Sequence, residues 1–170
     1  DGTSYFTVMI GDYVSLNMFN NDYSNLINSH VYALGDNGDM DVVDNDFSNT
    51  SGLKLELKGD HAKFLLQGNS VTESDDLRFE ADGNNSEISI LSSQFDGSKY
   101  YNISADGYGS KVSIANSDFD DGAFLTVLTT GEGSSVTIND SGYEGSLNSG
   151  YDQSWMDHFS QYGGEFVRIE

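Results

Sequence analysis

Six residues fit to anchor an apolar core recur every 24 positions: Tyr23, Phe47, Val71, Phe95, Phe119 and Tyr143. Six glycines keep the same time: Gly11, Gly35, Gly59, Gly83, Gly107 and Gly131. No insertion breaks either series. A fixed period of this length marks a stacked repeat architecture, because one unit cannot bury its own apolar face and a stack of units can.

Counting each unit from its anchor as position 1, position 7 reads Leu53, Leu77, Tyr101 and Leu125, and position 9 reads Val31, Leu55, Phe79, Ile103 and Val127. Position 11 adds Ala33, Leu57, Ala81 and Ala105. This alternation with period two predicts a strand with one buried face. Positions 18 and 20 predict a second strand, through Met40/Val42, Phe64/Leu66, Ile88/Ile90, Val112/Ile114 and Val136/Ile138. The glycine turn lies between them, as in Gly107-Tyr108-Gly109-Ser110, and a second turn around the anchor closes the coil. Separate antiparallel hairpins would not need so strict a clock. The reading is therefore an all-β, parallel β-solenoid with a 24-residue coil, right-handed by analogy, with like positions stacked at ~4.8 Å.

The whole chain, 1–170, reads as one domain. Residues 1–22 form an incomplete first coil, 23–142 five repeats and 143–170 a C-terminal cap. Within the cap, Trp155, Phe159 and Tyr162 stand at helical spacing, with Asp152 placed to cap the start and Gly163-Gly164 to end it. Phe166, Val167, Arg168 and Ile169 read as a final strand. The chain opens on Asp1 rather than Met, which reads as a processed or excised piece.

Charge and composition narrow the function. Twenty-eight acidic residues against seven basic ones give a net charge of −21. Nucleic acid is bound by Lys and Arg neutralising phosphates, so this balance predicts no nucleic-acid partner. No run approaches ~20 apolar residues, so no membrane insertion is expected. The absence of Cys removes thiolate chemistry. His30, His61 and His158 fall at unrelated positions and suggest neither a triad nor a metal triplet. Acid pairs such as Asp75/Asp76 and Asp120/Asp121 are expected by chance in so acidic a chain, so no catalysis is predicted. Six of the seven basic residues have an acidic neighbour, which reads as a charge-laced solvent face. Tyr100 and Phe124, stacked at position 6, offer an edge contact or a platform for a sugar ring.

Two outward features are less ordinary. Asp12, Asp36 and Asp60 stack in successive coils, and Asp22 and Asp46 repeat the pattern at another position. Hard cations take several carboxylate and carbonyl oxygens, so Ca²⁺ is the cofactor these ladders would suit. The second feature is apolar: Phe6, Val8, Ile10, Tyr32 and Leu34 occupy outward positions in the first two coils where later coils carry charge. Either the register slips by one residue there, or something covers the patch.

The unit resembles the curlin repeat of bacterial curli fibres, which is also strand, glycine turn, strand, turn at a slightly shorter period. The stretches that carry the likeness are Tyr101 to Ile114, with Gly107 and Gly109, and Leu125 to Ile138, with Gly131 and Gly133; it spans about residues 23–142. The resemblance implies a secreted solenoid subunit that stacks end to end into biofilm fibres. Three departures stand beside it: the inward positions named above are mostly aliphatic rather than Gln and Asn, and neither the aromatic anchor nor the capped C-terminus is curlin-like. The expectation is an extracellular or cell-surface structural or adhesive protein, without catalysis. Its expected partner is its own kind, head to tail, with Phe166, Val167 and Ile169 of one copy meeting the N-terminal patch of the next. The alternative is a carbohydrate-binding or carbohydrate-processing β-helix, with an extracellular polysaccharide as partner.

Overall fold

The computed structural model describes residues 2, 4–97, 100–120, 124–143 and 166–167. The chain coils as a parallel β-solenoid whose strands fall in three sheets. The first coil holds β1 (Phe6–Ile10), β2 (Ser15–Phe19) and β3 (Asp22–Ser24). The second holds β4 (His30–Leu34), β5 (Asp39–Val43) and β6 (Asp46–Ser48), and the third β7 (Lys54–Lys58), β8 (Lys63–Gln67) and β9 (Ser70–Thr72). Next come β10 (Leu77–Asp82), β11 (Glu87–Leu91) and β12 (Gln94–Asp96), then β13 (Tyr100–Asp106), β14 (Lys111–Ala115) and β15 (Asp118–Asp120). The last full turn has β16 (Phe124–Thr130), β17 (Ser135–Asn139) and β18 (Gly142–Tyr143), and β19 (Phe166–Val167) follows.

Every third strand joins one sheet. The first sheet runs β1-β4-β7-β10-β13-β16-β19, the second β2-β5-β8-β11-β14-β17 and the third β3-β6-β9-β12-β15-β18. Each residue pairs with the one 24 later, as in Phe79↔Ile103, Ile88↔Val112 and Phe95↔Phe119. The 24-residue clock is thus the pairing register itself. The third sheet is a correction to the two-strand coil expected from periodicity: the turn around the anchor is a three-residue strand, too short for alternation to reveal.

The inward positions predicted from alternation are buried, including Leu55, Phe64, Ile88, Ile103, Val112, Ile114 and Val127, except Val136 and Ile138 in the last full turn, which are partly buried. The anchors Phe47, Phe95 and Phe119 are buried with them. Phe95 and Phe119 stack at 4.6 Å between ring centroids, nearly parallel, and Tyr23 stacks on Phe47 at 5.1 Å. Phe79 and Tyr101 meet Phe95 edge-on, which turns the aromatic stack into a cluster spanning two sheets.

The interior also holds polar ladders, of which the one at position 23 is the longest among the described residues. Position 23 carries Asn45, Asn69, Ser93 and Ser117, all buried. Each side-chain oxygen accepts the backbone N–H of the preceding coil: Asn45 N–H donates to Asn69 Oδ1 at 3.0 Å, Asn69 N–H to Ser93 Oγ at 3.2 Å and Ser93 N–H to Ser117 Oγ at 3.2 Å. The chain bends here, with positive φ at the residue just before (Asp44, Ser92, Asn116), so the strand ladder cannot satisfy those amides. A small side-chain acceptor from the next coil does so instead.

The first strand is in register with the second, Phe6↔His30, Val8↔Tyr32 and Ile10↔Leu34. No slip occurs. The helix expected over 152–162 and the strand residue Ile169 lie outside the described residues. The segment Phe166–Val167 pairs antiparallel with β16 of its own chain, through Val127↔Val167 and Leu128↔Phe166.

Candidate functional site

Side chains at positions 8, 10 and 12 point outward from the first sheet, and the register stacks them across coils. Lys54, Glu56 and Lys58 come from β7, Arg78, Glu80 and Asp82 from β10, and His30, Tyr32 and Leu34 from β4. Glu56 stands at the centre and is only 4% exposed, although its strand faces water on that side. Its Oε2 meets His30 Nε2 at 3.0 Å and Lys54 Nζ at 3.1 Å, and its Oε1 meets Lys58 Nζ at 2.8 Å. Lys54 also reaches Glu80 at 2.6 Å, and Lys58 reaches Asp82 at 3.3 Å. Arg78 turns away and takes Asp76 with two hydrogen bonds, 2.9 and 3.1 Å.

Burial pushes the Glu56 carboxyl up, but the hydrogen bonds from Lys58 and Lys54 outweigh it and hold it below the ordinary glutamate value. The hydrogen bond to Glu56 raises Lys58, and for Lys54 the bonds to Glu80 and Glu56 overcome the lowering by burial. One position along the sheet, burial raises Asp106; the Thr130 hydroxyl, donating to Asp106 Oδ1 at 3.0 Å, offsets part of this, and Asp82 and Glu80 add to the rise.

These opposite shifts give opposite pH dependences. The folded state favours ionised Glu56, so its contribution is present above about pH 4.5 and is lost as pH falls through the lowered folded value. The folded state favours protonated Asp106, so its contribution is present below about pH 3.8 and is lost as pH rises through the raised folded value. Asp106→Asn is therefore expected to raise Tm at neutral pH, with the gain vanishing on acidification. Glu56→Gln is expected to lower Tm at neutral pH and to lose its effect as pH falls through the lowered folded value. Thermal melts of both variants between pH 3 and 7 check the two signs; equal pH profiles for both would contradict the assignment.

Among the described residues, three carboxylates bring oxygens within 4.8 Å of one another at Glu56, Glu80 and Asp82. Two ammonium groups already offset most of that charge, so a cation entering the cluster would have to displace Lys54 and Lys58. The sequence-derived Ca²⁺ candidates are arranged otherwise. Asp12 Oδ1 accepts the backbone N–H of Asp36 at 3.1 Å, Asp36 Oδ1 that of Asp60 at 2.9 Å and Asp60 Oδ1 that of Asn84 at 2.8 Å. Asn84 continues the ladder to the Tyr108 amide at 3.0 Å. This ladder serves the glycine turn as position 23 serves another bend: it satisfies amides that the bent backbone leaves free. Asp22 and Asp46 lie on a different sheet, paired in β3 and β6 and exposed.

The Asp ladder separates structural from metal roles by substitution. An amide oxygen can accept the same N–H, so Asp36→Asn is expected to leave Tm unchanged, whereas Asp36→Ala should lower it by about 2–4 °C for one lost hydrogen bond. If the ladder held Ca²⁺, chelation would lower the wild-type Tm and Asp36→Asn would abolish that response.

An open hollow lies where the first sheet meets the turn before it, lined by Asn28, His30, Gly52, Lys54, Asp76 and Arg78 among others. Each of its cations is already turned to a carboxylate, as given above. Tyr100 is half exposed at the edge of β13, while the side chain of Phe124, its expected stacking partner, lies outside the described ones.

The apolar patch is outward as its register requires. Phe6 is 71% exposed and Ile10 76%, with Val8 and Leu34 also exposed and Tyr32 partly covered. Lys58 Nζ lies 5.9 Å from the centre of the Tyr32 ring, which marks the border between the patch and the ion cluster. No protein-family model matches the chain, and no curated protein matches it.

Proposed function

We propose that the chain is a non-catalytic structural rod, a secreted subunit or module of a bacterial surface fibre or biofilm matrix, whose copies join head to tail. The observation that carries this reading is the state of the first coil. β1, β2 and β3 are the outermost strands of their three sheets, and β1 and β2 contain no charged residue. Sheet edges that stay bare are normally blunted by Lys, Pro or a bulge. None of these devices is present in β1 or β2.

The other end of the first sheet offers a complement. β19 runs antiparallel to β16 and is the last strand of that sheet. A neighbour's β1 added antiparallel to β19 would run parallel to β16, so the sheet would resume its own direction across the joint. Such a joint is heterologous and propagates rather than closes. A net charge of −21 opposes association in dilute buffer. At 0.1 M salt that repulsion is screened beyond ~10 Å, so assembly should strengthen with ionic strength.

Electron microscopy of the purified protein at low and moderate salt, with and without Ca²⁺, tests the reading. Filaments one rod wide are expected, more abundant with salt, and lost on deletion of residues 165–170 while the circular dichroism stays that of a β-protein. Wild-type protein that remains an 18.5 kDa monomer at high concentration would overturn the reading. Retention of that monomer by a glycan array would favour the carbohydrate-binding alternative.

A further inference from the structure

Ten large apolar side chains are exposed among the described residues, and eight of them lie between Tyr5 and Leu34. The same stretch holds no Lys or Arg; the first basic residue of the chain is Lys54. Phe6, Val8, Ile10 and Leu34 stand together on the outer face of β1 and β4. A head-to-tail joint covers strand edges, which point along the rod. It does not cover these side chains, which point sideways. A second sheet laid across the face, at ~10 Å, would.

The charge pattern selects the occupant. Beyond β4 the same face carries Lys54, Glu56 and Lys58, then Arg78, Glu80 and Asp82. Two rods lying face to face in the same direction, related by an axis parallel to them, would set Glu56 over Glu56, Glu80 over Glu80 and Lys54 over Lys58. Two rods related by a two-fold axis across them, overlapping only at the outer faces of β1 and β4, which carry no Asp, Glu, Lys or Arg, send the charged faces of the later coils in opposite directions. Two chains of charge −21 can approach there with least repulsion.

We propose that the outer face of β1 and β4 is an isologous contact with a second copy of this chain, in which Phe6, Val8 and Ile10 of each copy pack across Tyr32 and Leu34 of the other. Five side chains from each copy meet here, against the ~20–30 residues a side of a standard interface, so the pair is a reversible one that forms at elevated concentration. The contact is lateral, and it is independent of the end-to-end joint. In a filament it would tie two rods together.

The chain has no cysteine, so introduced thiols report contacts cleanly. Val8→Cys and Tyr32→Cys proteins, mixed in equal amounts and oxidised in air, should form the mixed disulfide dimer. A Thr126→Cys protein, labelled on the same sheet at β16, should dimerise at a rate about ten-fold lower, because only a held pair gains effective concentration. In sedimentation equilibrium of protein lacking residues 165–170, which removes the end-to-end joint, the chain should reach twice the monomer mass and the same protein with Val8→Lys should not. Mixed crosslinking no faster than that of Thr126→Cys, or a dimer unaffected by Val8→Lys, overturns the proposal. Filaments without the mixed crosslink overturn this contact and leave the end-to-end joint standing. A crosslinked dimer without filaments supports this contact and counts against the joint.

Discussion

Replacing Phe95 with alanine is expected to cost about 3–5 kcal/mol of unfolding free energy, the range for a fully buried phenylalanine whose site cannot collapse. Phe95 is buried at the middle of the stack, 4.6 Å from Phe119 and edge-on to Phe79 at 6.2 Å and Tyr101 at 5.5 Å. Truncation removes contacts to three neighbours at once, and the flanking coils hold the backbone in place, so little of the void can close. Solenoid stability is close to a sum over coils and their interfaces, so a defect in a central coil weakens the interfaces on both sides. Tyr23 provides the contrast: it stacks on Phe47 but lies at the first coil and is only partly buried. Tyr23→Ala should cost less than half as much. Urea unfolding of both variants measures the difference, and a cost below about 1 kcal/mol for Phe95→Ala would be too small for a buried core aromatic.

The second large effect is expected at the glycine turn. Gly35, Gly59 and Gly83 have φ between +143° and +145°. A Cβ on Gly83 would overlap the carbonyl oxygen of Gly59 in the coil beneath and reach within 2.9 Å of the Asp60 nitrogen. Both obstacles are backbone and neither can swing aside. Gly83→Ala should therefore cost about 3 kcal/mol, combining backbone strain with overpacking. Two residues further on, the turn is permissive. Tyr13, Asn37, His61 and Asn85 have φ between +56° and +61°, the left-handed well that Asn in particular tolerates. At Gly133, which shares that place in the turn, a Cβ would meet nothing closer than 3.9 Å. Gly133→Asn should change stability by less than about 1 kcal/mol. Equal costs at Gly83 and Gly133 would contradict the assignment of the close approach to the first glycine alone.

These two sites show why so much of the fold was legible. In a solenoid the sequence repeats the same environment, so each position is sampled several times, and a place that holds only glycine stands out from one that holds Tyr, Asn, His and Gly. Burial was legible for the same reason: Leu55, Phe79, Ile103 and Val127 answer to one another at a spacing equal to the pairing register. The third sheet was harder to see. Its strands span three residues or fewer, and one apolar residue between two polar ones, as in Gln94-Phe95-Asp96, also reads as a turn.

The Asp ladder was legible as a pattern but not as a role, and the buried ladder at position 23 does not stand out in the sequence at all. Asn45, Asn69, Ser93 and Ser117 look like loop residues until the bend is known to leave amides unsatisfied inside. The stacked Asp12, Asp36 and Asp60 suggest a cation from repulsion alone. The structure gives each of them a backbone N–H from the following coil, a partner that spacing does not reveal. Glu56 reads from its outward position as part of the charge-laced solvent face; its burial comes with His30, Lys54 and Lys58 closing on its two oxygens. The patch of Phe6, Val8 and Ile10 was visible in the sequence, and the in-register pairing of β1 with β4 removes the slip that would have explained it away.

The claim that copies of this chain cover the N-terminal coil is tested most directly by hydrogen exchange at two protein concentrations. In dilute protein, amides on the outer edge of β1, β2 and β3 should exchange at rates close to those of an open chain, while those of β7 to β14 are protected. At a concentration where copies associate, the β1, β2 and β3 amides should slow by about ten-fold or more, with the central coils unchanged. Exchange in the first coil that is equally fast at both concentrations would contradict the account.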